Sequence, residues 1–235
     1  MEFNPRLTPA TLIRRYKRFL ADVRMEDGRI ITVHTANTGA MTGCAEPGSK
    51  IWLRNSHNPS RKYLWSWEIS SNTNGSLIGI NTHLANVLVE EAILNGVIVE
   101  LQGYDQIRRE VKYGAENSRI DFRLEHASRV PCYLEVKSVT LLRQTGRVEF
   151  PDAVSARGSK HLRELIKVRQ EGYRAVLIFC VQREDADHFQ VAADIDPEYA
   201  QTLKQAYAMG VELLAYQASV SPKSIKLSNS LPVKI

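Results

Sequence analysis

Apolar and polar positions alternate along residues 118–140. Ile120, Phe122 and Leu124 are interleaved with Arg119, Asp121 and Arg123, and Cys132, Leu134 and Val136 with Tyr133, Glu135 and Lys137. A period of two belongs to a strand with one buried face, so the stretch predicts a β-hairpin with the polar segment 125–131 as its loop. Pairing symmetric about Ser128 sets Leu124 opposite Cys132, Phe122 opposite Leu134 and Asp121 opposite Glu135. Further upstream, strand-like runs recur at 11–24, 29–34, 50–54, 63–69 and 77–80, punctuated by the turn signals Asp27-Gly28, Pro47-Gly48 and Asn74-Gly75. About five short strands at this spacing predict a small barrel.

At Asn81 the period becomes helical. Asn81 is a capping residue, Leu84, Val87, Leu88 and Ala92 share a face, and Gly96 is a stop signal. The boundary is therefore placed at Ile80/Asn81, dividing the chain into units 1–80 and 81–235. In the second unit, strands are expected at 97–101, 107–113, 119–124 and 132–139. A helix follows at 159–171, ended by Gly172, then a strand buried on both faces at 173–181, built on A-V-L-I-F-C-V. Asp196 caps a third helix with Pro197 in its first turn, and 211–216 is the last strand. The order helix, antiparallel strands, helix, strand, helix, strand is that of an α/β (α+β) domain with a mixed central sheet.

Composition changes this picture little. The 235 residues are 43% hydrophobic and 24% charged, ordinary for a globular chain. No run of 18 apolar residues and no signal-like hydrophobic segment is present, so a cytoplasmic protein without membrane partners is expected. Cys44, Cys132 and Cys180 are odd in number and lack CxxC spacing, which predicts neither a disulfide partner nor a zinc site. The oligomeric state is left open.

Charge is more informative once divided. Residues 1–80 carry 11 Lys/Arg against 6 Asp/Glu, and residues 81–235 carry 20 against 20, so the net +5 lies wholly in the first unit. There Arg14, Arg15, Lys17 and Arg18 are interleaved with Tyr16 and Phe19, with Trp52, Tyr63, Trp65 and Trp67 further on. Small barrels bind nucleic acid through basic grooves with stacking rings, although such rings equally serve as core. The small-residue loop N-T-G-A-M-T-G-C from Asn37 either brings backbone amides to a phosphate or turns a barrel corner.

The hairpin carries the candidate chemistry. Directly opposed residues on antiparallel strands have Cβ atoms roughly 4.5 to 5.5 Å apart, and like charges there destabilise the sheet. A divalent cation would neutralise Asp121 and Glu135, since Mg²⁺ is typically held by one or two carboxylates with waters and a substrate phosphate. Lys137, about 6 to 7 Å along the strand from Glu135, can reach a metal-bound water or a phosphate.

Asp, a loop and then Glu-x-Lys on the next strand resembles the metal site of the PD-(D/E)xK nucleases. The strings N-T-H-L-A-N-V-L-V-E-E-A-I from Asn81, E-V-K-Y-G-A-E-N-S-R-I-D-F from Glu110, E-V-K-S-V-T from Glu135 and F-P-D-A-V-S-A-R-G-S-K-H-L-R-E-L from Phe150 resemble the bacterial sugar fermentation stimulation protein A family. R-Y-K-R-F-L-A-D-V from Arg15 extends the likeness towards the start of the chain. The resemblance implies an N-terminal OB-like β-barrel followed by a restriction-endonuclease-like α/β domain, nonspecific DNA binding and a regulatory role in sugar, particularly maltose, utilisation. It implies Asp121, Glu135 and Lys137 as catalytic residues, with Mg²⁺ or Mn²⁺ held by Asp121 and Glu135. Glu91 matches the family pattern better than Glu90 as a further ligand. Asp152, Arg157, Lys160 and His161 stand at positions the pattern singles out and are expected near phosphates, together with Arg14, Arg15, Lys17 and Arg18. Pro151-Asp152 spells the superfamily letters but follows Glu135, whereas the metal-binding aspartate precedes it; the acidic partner is therefore Asp121, with Ile120 in place of proline. Two functions follow: a DNA-binding protein with a metal-dependent phosphodiesterase site, or a DNA-binding regulatory factor without catalysis.

Overall fold

In the computed structural model, which describes residues 1–114 and 118–235, the run 11–24 is two strands rather than one. β1 (Thr8–Tyr16) and β2 (Leu20–Met25) form a hairpin whose turn holds Lys17 and Arg18 at φ 48° and 64°. Successive positive φ values give a turn whose twist matches that of the strands. No glycine marks it, which is why the run reads as continuous. β3 (Ile30–Thr35), β4 (Lys50–Asn55), β5 (Trp65–Ser71) and β6 (Leu77–Gly79) complete a sheet of order β3-β2-β1-β4-β5-β6. Parallel pairing of β3 with β5, at His34↔Ser66, closes strands β1 to β5 into the expected OB-like barrel.

Leu12, Val23, Val33, Ile51, Leu53 and Trp67 fill the barrel. Trp67 is buried, its indole N–H donating to the Ile69 carbonyl at 3.0 Å. Trp65 packs partly buried against this core, and Trp52 turns outward into the core of the second unit. Phe19 is exposed. The three tryptophans are therefore packing groups, while Tyr16, Phe19 and Tyr63 belong to no core.

α1 (Leu84–Leu94) starts the second unit. The strand expected at 97–101 is instead a 3₁₀ turn, Val99–Leu101. Gln102 causes the difference: its side-chain amide donates to the carbonyls of Ile93 and Ile98, both at 2.9 Å, folding the chain back while Ile98 and Leu101 enter the core. β7 (Gln106–Tyr113), β8 (Ser118–His126) and β9 (Arg129–Val139) form the expected antiparallel meander. Residues 115–117, part of the string quoted from Glu110, lie outside the described residues.

The chain continues through β10 (Leu141–Gln144), β11 (Gly146–Phe150), α2 (Ala156–Gln170), β12 (Arg174–Val181), β13 (Ala186–Val191), α3 (Pro197–Ala208), β14 (Glu212–Val220), β15 (Ile225–Ser230) and β16 (Val233–Lys234). The main sheet has the order β15-β14-β12-β9-β8-β7, with β12 parallel to both β9 and β14. β10, β11, β13 and β16 form a second, smaller sheet whose runs are too short to show a period. α2 begins earlier than residue 159 because Ser155 Oγ accepts the Gly158 N–H at 3.0 Å, a side-chain cap.

Alternation along β12 separates two cores. Val176, Ile178 and Cys180 pack with α1, Phe122, Leu124, Leu134 and Val136, whereas Ala175, Leu177, Phe179 and Val181 pack with α2 and α3. All three cysteines are free and buried. The two units interlock: Gly79 N–H donates to Gln182 O at 2.8 Å, Thr82 Oγ1 to Ala36 O at 3.0 Å, and Asn72 Nδ2 to Asp185 Oδ2 at 3.1 Å. Phe3 and Leu7 pack into the α1-side core rather than the barrel. Among the described residues no helix is long and apolar enough to cross a membrane.

Candidate active site

β8 and β9 pair in the expected register, Leu124↔Cys132 and Phe122↔Leu134, but the hairpin closes further, with His126↔Arg129 around a two-residue turn. Asp121 leaves the ladder. The β8–β9 partners stop at Phe122↔Leu134, and β7–β8 partners pass from Arg109↔Phe122 to Val111↔Ile120, skipping Glu110 and Asp121. Glu110 has φ 53°, a left-handed conformation unusual for a residue with a side chain. Both strands change faces there: Ile107 and Phe122 pack in the α1-side core, Val111 and Ile120 in the α2-side core. This kink frees the Asp121 carboxylate. Its Oδ2 accepts the Val136 N–H and its Oδ1 accepts from Asn86 Nδ2, both at 2.8 Å. Sequence reading missed Asn86, whose one signal is a short polar side chain in the apolar start of α1.

Glu135 lies on the α2 face and is 2% exposed. Its Oε1 accepts from Lys137 Nζ at 2.7 Å and contacts His161 Nδ1. Its Oε2 is buried and, among the described residues, has no hydrogen-bond partner. Lys137 Nζ lies 3.2 Å from His161 Nδ1, and Arg157 Nε donates to His161 Nε2 at 3.3 Å. The buried Tyr113 hydroxyl is unpartnered too, and burial together with the charges of Glu135, Glu164 and Asp121 pushes its pKa above the tyrosine range.

The two acids are driven apart. Burial, then the charge of Glu135, raises Asp121 above the usual carboxylate range, against the hydrogen bonds from Val136 and Asn86. Burial also opposes ionisation of Glu135, but Lys137 and His161 outweigh it and hold that carboxyl below its ordinary value. A pair separated in this way has one member suited to hold charge and one suited to take a proton.

Other expected residues are placed differently. His161, expected near phosphates, is buried against Glu135, and Arg157 backs it. Lys160 is half-buried on the same helix. The Glu91 carboxylate pairs with the Met1 ammonium, beside Lys226 and Leu227 of β15, at the opposite edge of the sheet from β7 and β8. Glu90 pairs with Arg109. α1 thus offers Asn86, and not Glu91, to the acidic pair. In the barrel Arg14 is exposed, paired with Asp22 at 2.9 Å and stacked over Tyr16, while Lys17 and Arg18 are exposed at the turn.

Arg15 is committed elsewhere: its guanidinium donates to the carbonyls of Arg18, Asn37, Gly39 and Ala40 and so pins the Asn37 loop. That loop presents Gly39 to a carboxylate of this chain, Asp152, and the Gly39 N–H donates to Asn37 Oδ1 at 2.8 Å. Asp152 with Arg18, Thr38, Ser138, Thr140 and Ser155 lines a cavity of about 330 Å³ between the units.

The donor set suits a hard divalent ion in part. Among the described residues no group of three or more His, Cys, Asp and Glu is arranged to hold a metal. What is present is a buried carboxylate with one bare oxygen, Glu135, and a half-buried one, Asp121, the protein share that Mg²⁺ takes when waters and a phosphate complete its shell.

An OB-like barrel joined to a mixed α/β sheet of restriction-endonuclease type, with an acidic pair on its central hairpin, defines a class of two-domain, nuclease-like proteins. Residues 13–80 match the family model described as the SfsA N-terminal OB domain, and residues 83–224 that of the sugar fermentation stimulation protein RE domain. The chain is 54% identical over 235 residues to a sugar fermentation stimulation protein homolog of Shewanella sp. strain MR-4, and 52% to that of Shewanella piezotolerans, with all of each chain covered. SfsA of Pyrococcus furiosus, solved in complex with Ca²⁺, superposes with a TM-score of 0.88 at 30% identity, covering 100% of this chain and 98% of that one. The chain belongs to the sugar fermentation stimulation protein family.

Proposed function

We propose that this protein binds DNA largely without regard to sequence and carries a divalent-metal-dependent phosphodiesterase site at Asp121, Glu135 and Lys137. The observation behind the reading is the bare Oε2 of Glu135. Leaving a buried acceptor unsatisfied costs on the order of 1–3 kcal/mol, more when it is charged, and a cation shared with Asp121 relieves that cost. Mg²⁺ or Mn²⁺ fits the oxygen donors, and the Ca²⁺ bound by the Pyrococcus relative supports a hard divalent ion. Bound there, such an ion supplies a Lewis acid and an activated water.

The chain's own residues do the rest. Val136 N–H and Asn86 hold Asp121 in place, and Lys137 stands ready to position the water or the phosphate. Arg14, Lys17 and Arg18 on the barrel steer the polyanion. The name shared by the relatives, sugar fermentation stimulation protein homolog, supports a role in sugar utilisation; in this reading the DNA binding serves control of that utilisation, maltose included, in the cytoplasm.

One observation favours the second reading, a DNA-binding regulator without catalysis: the Lys137 ammonium already pairs with the buried Glu135 carboxylate. Calorimetric titration with Mg²⁺ and Mn²⁺ separates the two. Saturable binding by the wild type that is lost in Asp121→Ala supports the metal site; no binding by the wild type leaves the regulator.

A further inference from the structure

We propose that Arg157 and His161 are positioning residues: the histidine, its proton placed by the arginine, saturates Glu135 Oε1 and so presents Oε2 bare to the metal. This rests on the metal-site reading above. Nothing in the sequence separates His161 from a phosphate-contacting residue; its burial and its two partners do.

The geometry fixes the direction of each hydrogen bond. Arg157 and His161 are four residues apart on α2 and share a face. A guanidinium has only donors. Arg157 Nε, 3.3 Å from His161 Nε2, therefore requires a lone pair on that nitrogen. The ring proton is then on Nδ1, which faces Glu135 Oε1, and His161 donates to the carboxylate. Lys137 Nζ, again a donor only, brings a second hydrogen to the same oxygen at 2.7 Å. With Nδ1 protonated, the 3.2 Å approach of Lys137 to that nitrogen is a contact of two donors sharing one acceptor, not a bond between them.

The carboxylate is consequently asymmetric. Among the described residues two donors meet Oε1 and none meets Oε2. A freely turning carboxylate would present either oxygen, whereas this one is held by its saturated end. Residues of this kind, which orient a ligand without touching the ion, typically change metal affinity 10- to 100-fold when removed. Arg157 acts one step further out, through the tautomer, so its removal is expected to weaken affinity less than removal of His161.

The test combines ring-nitrogen NMR on metal-free protein with Mn²⁺ calorimetry on the wild type, His161→Ala, His161→Asn and Arg157→Ala. In the wild type the His161 resonances, identified by their loss in His161→Asn, should show a protonated Nδ1 and a bare Nε2. Arg157→Ala should erase that preference. Mn²⁺ affinity should fall about 10- to 100-fold in His161→Ala, and His161→Asn, whose amide N–H takes the place of Nδ1–H, should recover most of it.

A proton on Nε2, an affinity of His161→Ala within twofold of the wild type, or no rescue by asparagine would each overturn the proposal while leaving the metal site standing. Wild-type protein that binds no Mn²⁺ would sink the metal reading and the proposal with it. If His161→Ala fails to fold, as its melting curve would show, the NMR result and the Arg157→Ala titration decide the question.

Discussion

Gly39 of the barrel and Asp152 of the second unit meet so closely that a β-carbon on the glycine would lie 2.1 Å from Asp152 Oδ2 and 2.8 Å from its Cγ. Arg15 holds the glycine loop by its carbonyls, so the loop has little room to retreat. Gly39→Ala should therefore push the Asp152 carboxylate aside and, because that is the free end of a flexible side chain, cost no more than about 1 kcal/mol, the low end for overpacking. Adding Asp152→Ala should recover most of that loss. Urea unfolding of the four proteins closes the cycle, and strictly additive losses would mean that the close approach is not what requires glycine here.

Glu68 gives a pH dependence with a definite sign. It is buried, accepting from Asn81 Nδ2 at 2.8 Å with Arg54 Nε at 3.3 Å, and burial raises its pKa above the ordinary value despite both partners. A carboxyl raised on folding binds its proton more tightly in the native state. It therefore contributes stability that is present below the unfolded pKa of roughly 4.3 and lost as pH rises through the folded value. Glu68→Gln has no charge to bury, so its stability relative to the wild type should improve as pH rises above about 4. A difference that is flat with pH, or that moves the other way, would contradict the assignment.

The four basic residues of the first hairpin should divide into two groups. Neutralising Arg14, Lys17 and Arg18 together should weaken DNA binding and flatten its salt dependence, by up to about 0.9 in the log–log slope for each phosphate that the variant no longer neutralises. Arg15→Ala should chiefly lower the melting temperature, because four carbonyls lose their shared donor. Unchanged affinity and salt slope in the triple variant would place the DNA-binding surface elsewhere.

If the site hydrolyses phosphodiesters, Glu135→Ala and Lys137→Ala should each abolish cleavage yet leave DNA affinity nearly intact, since these groups act mainly in the transition state. A panel of single- and double-stranded DNA and RNA with Mg²⁺ or Mn²⁺ provides the assay. Nicking that survives both substitutions would belong to a contaminant.

Period and punctuation alone determined much of this molecule. Alternation at 120–124 and 132–136 set the hairpin register, because a slip of one residue would have turned Phe122 and Leu134 away from the core. Asp196 with Pro197 marked the start of α3, and the uneven charge singled out the barrel. Tertiary structure decided the rest. The left-handed Glu110 and the shared change of face take Asp121 out of the ladder, an effect a strict period of two does not contain. Asn86 and His161 arrive at the acidic pair from helices on opposite sides of the sheet, and Glu91 turns to the N-terminal ammonium at its far edge. Sequence spacing fixes only which neighbours share a strand or helix face; which face meets which is settled by how the helices pack across the sheet, and that brings together residues far apart in the chain.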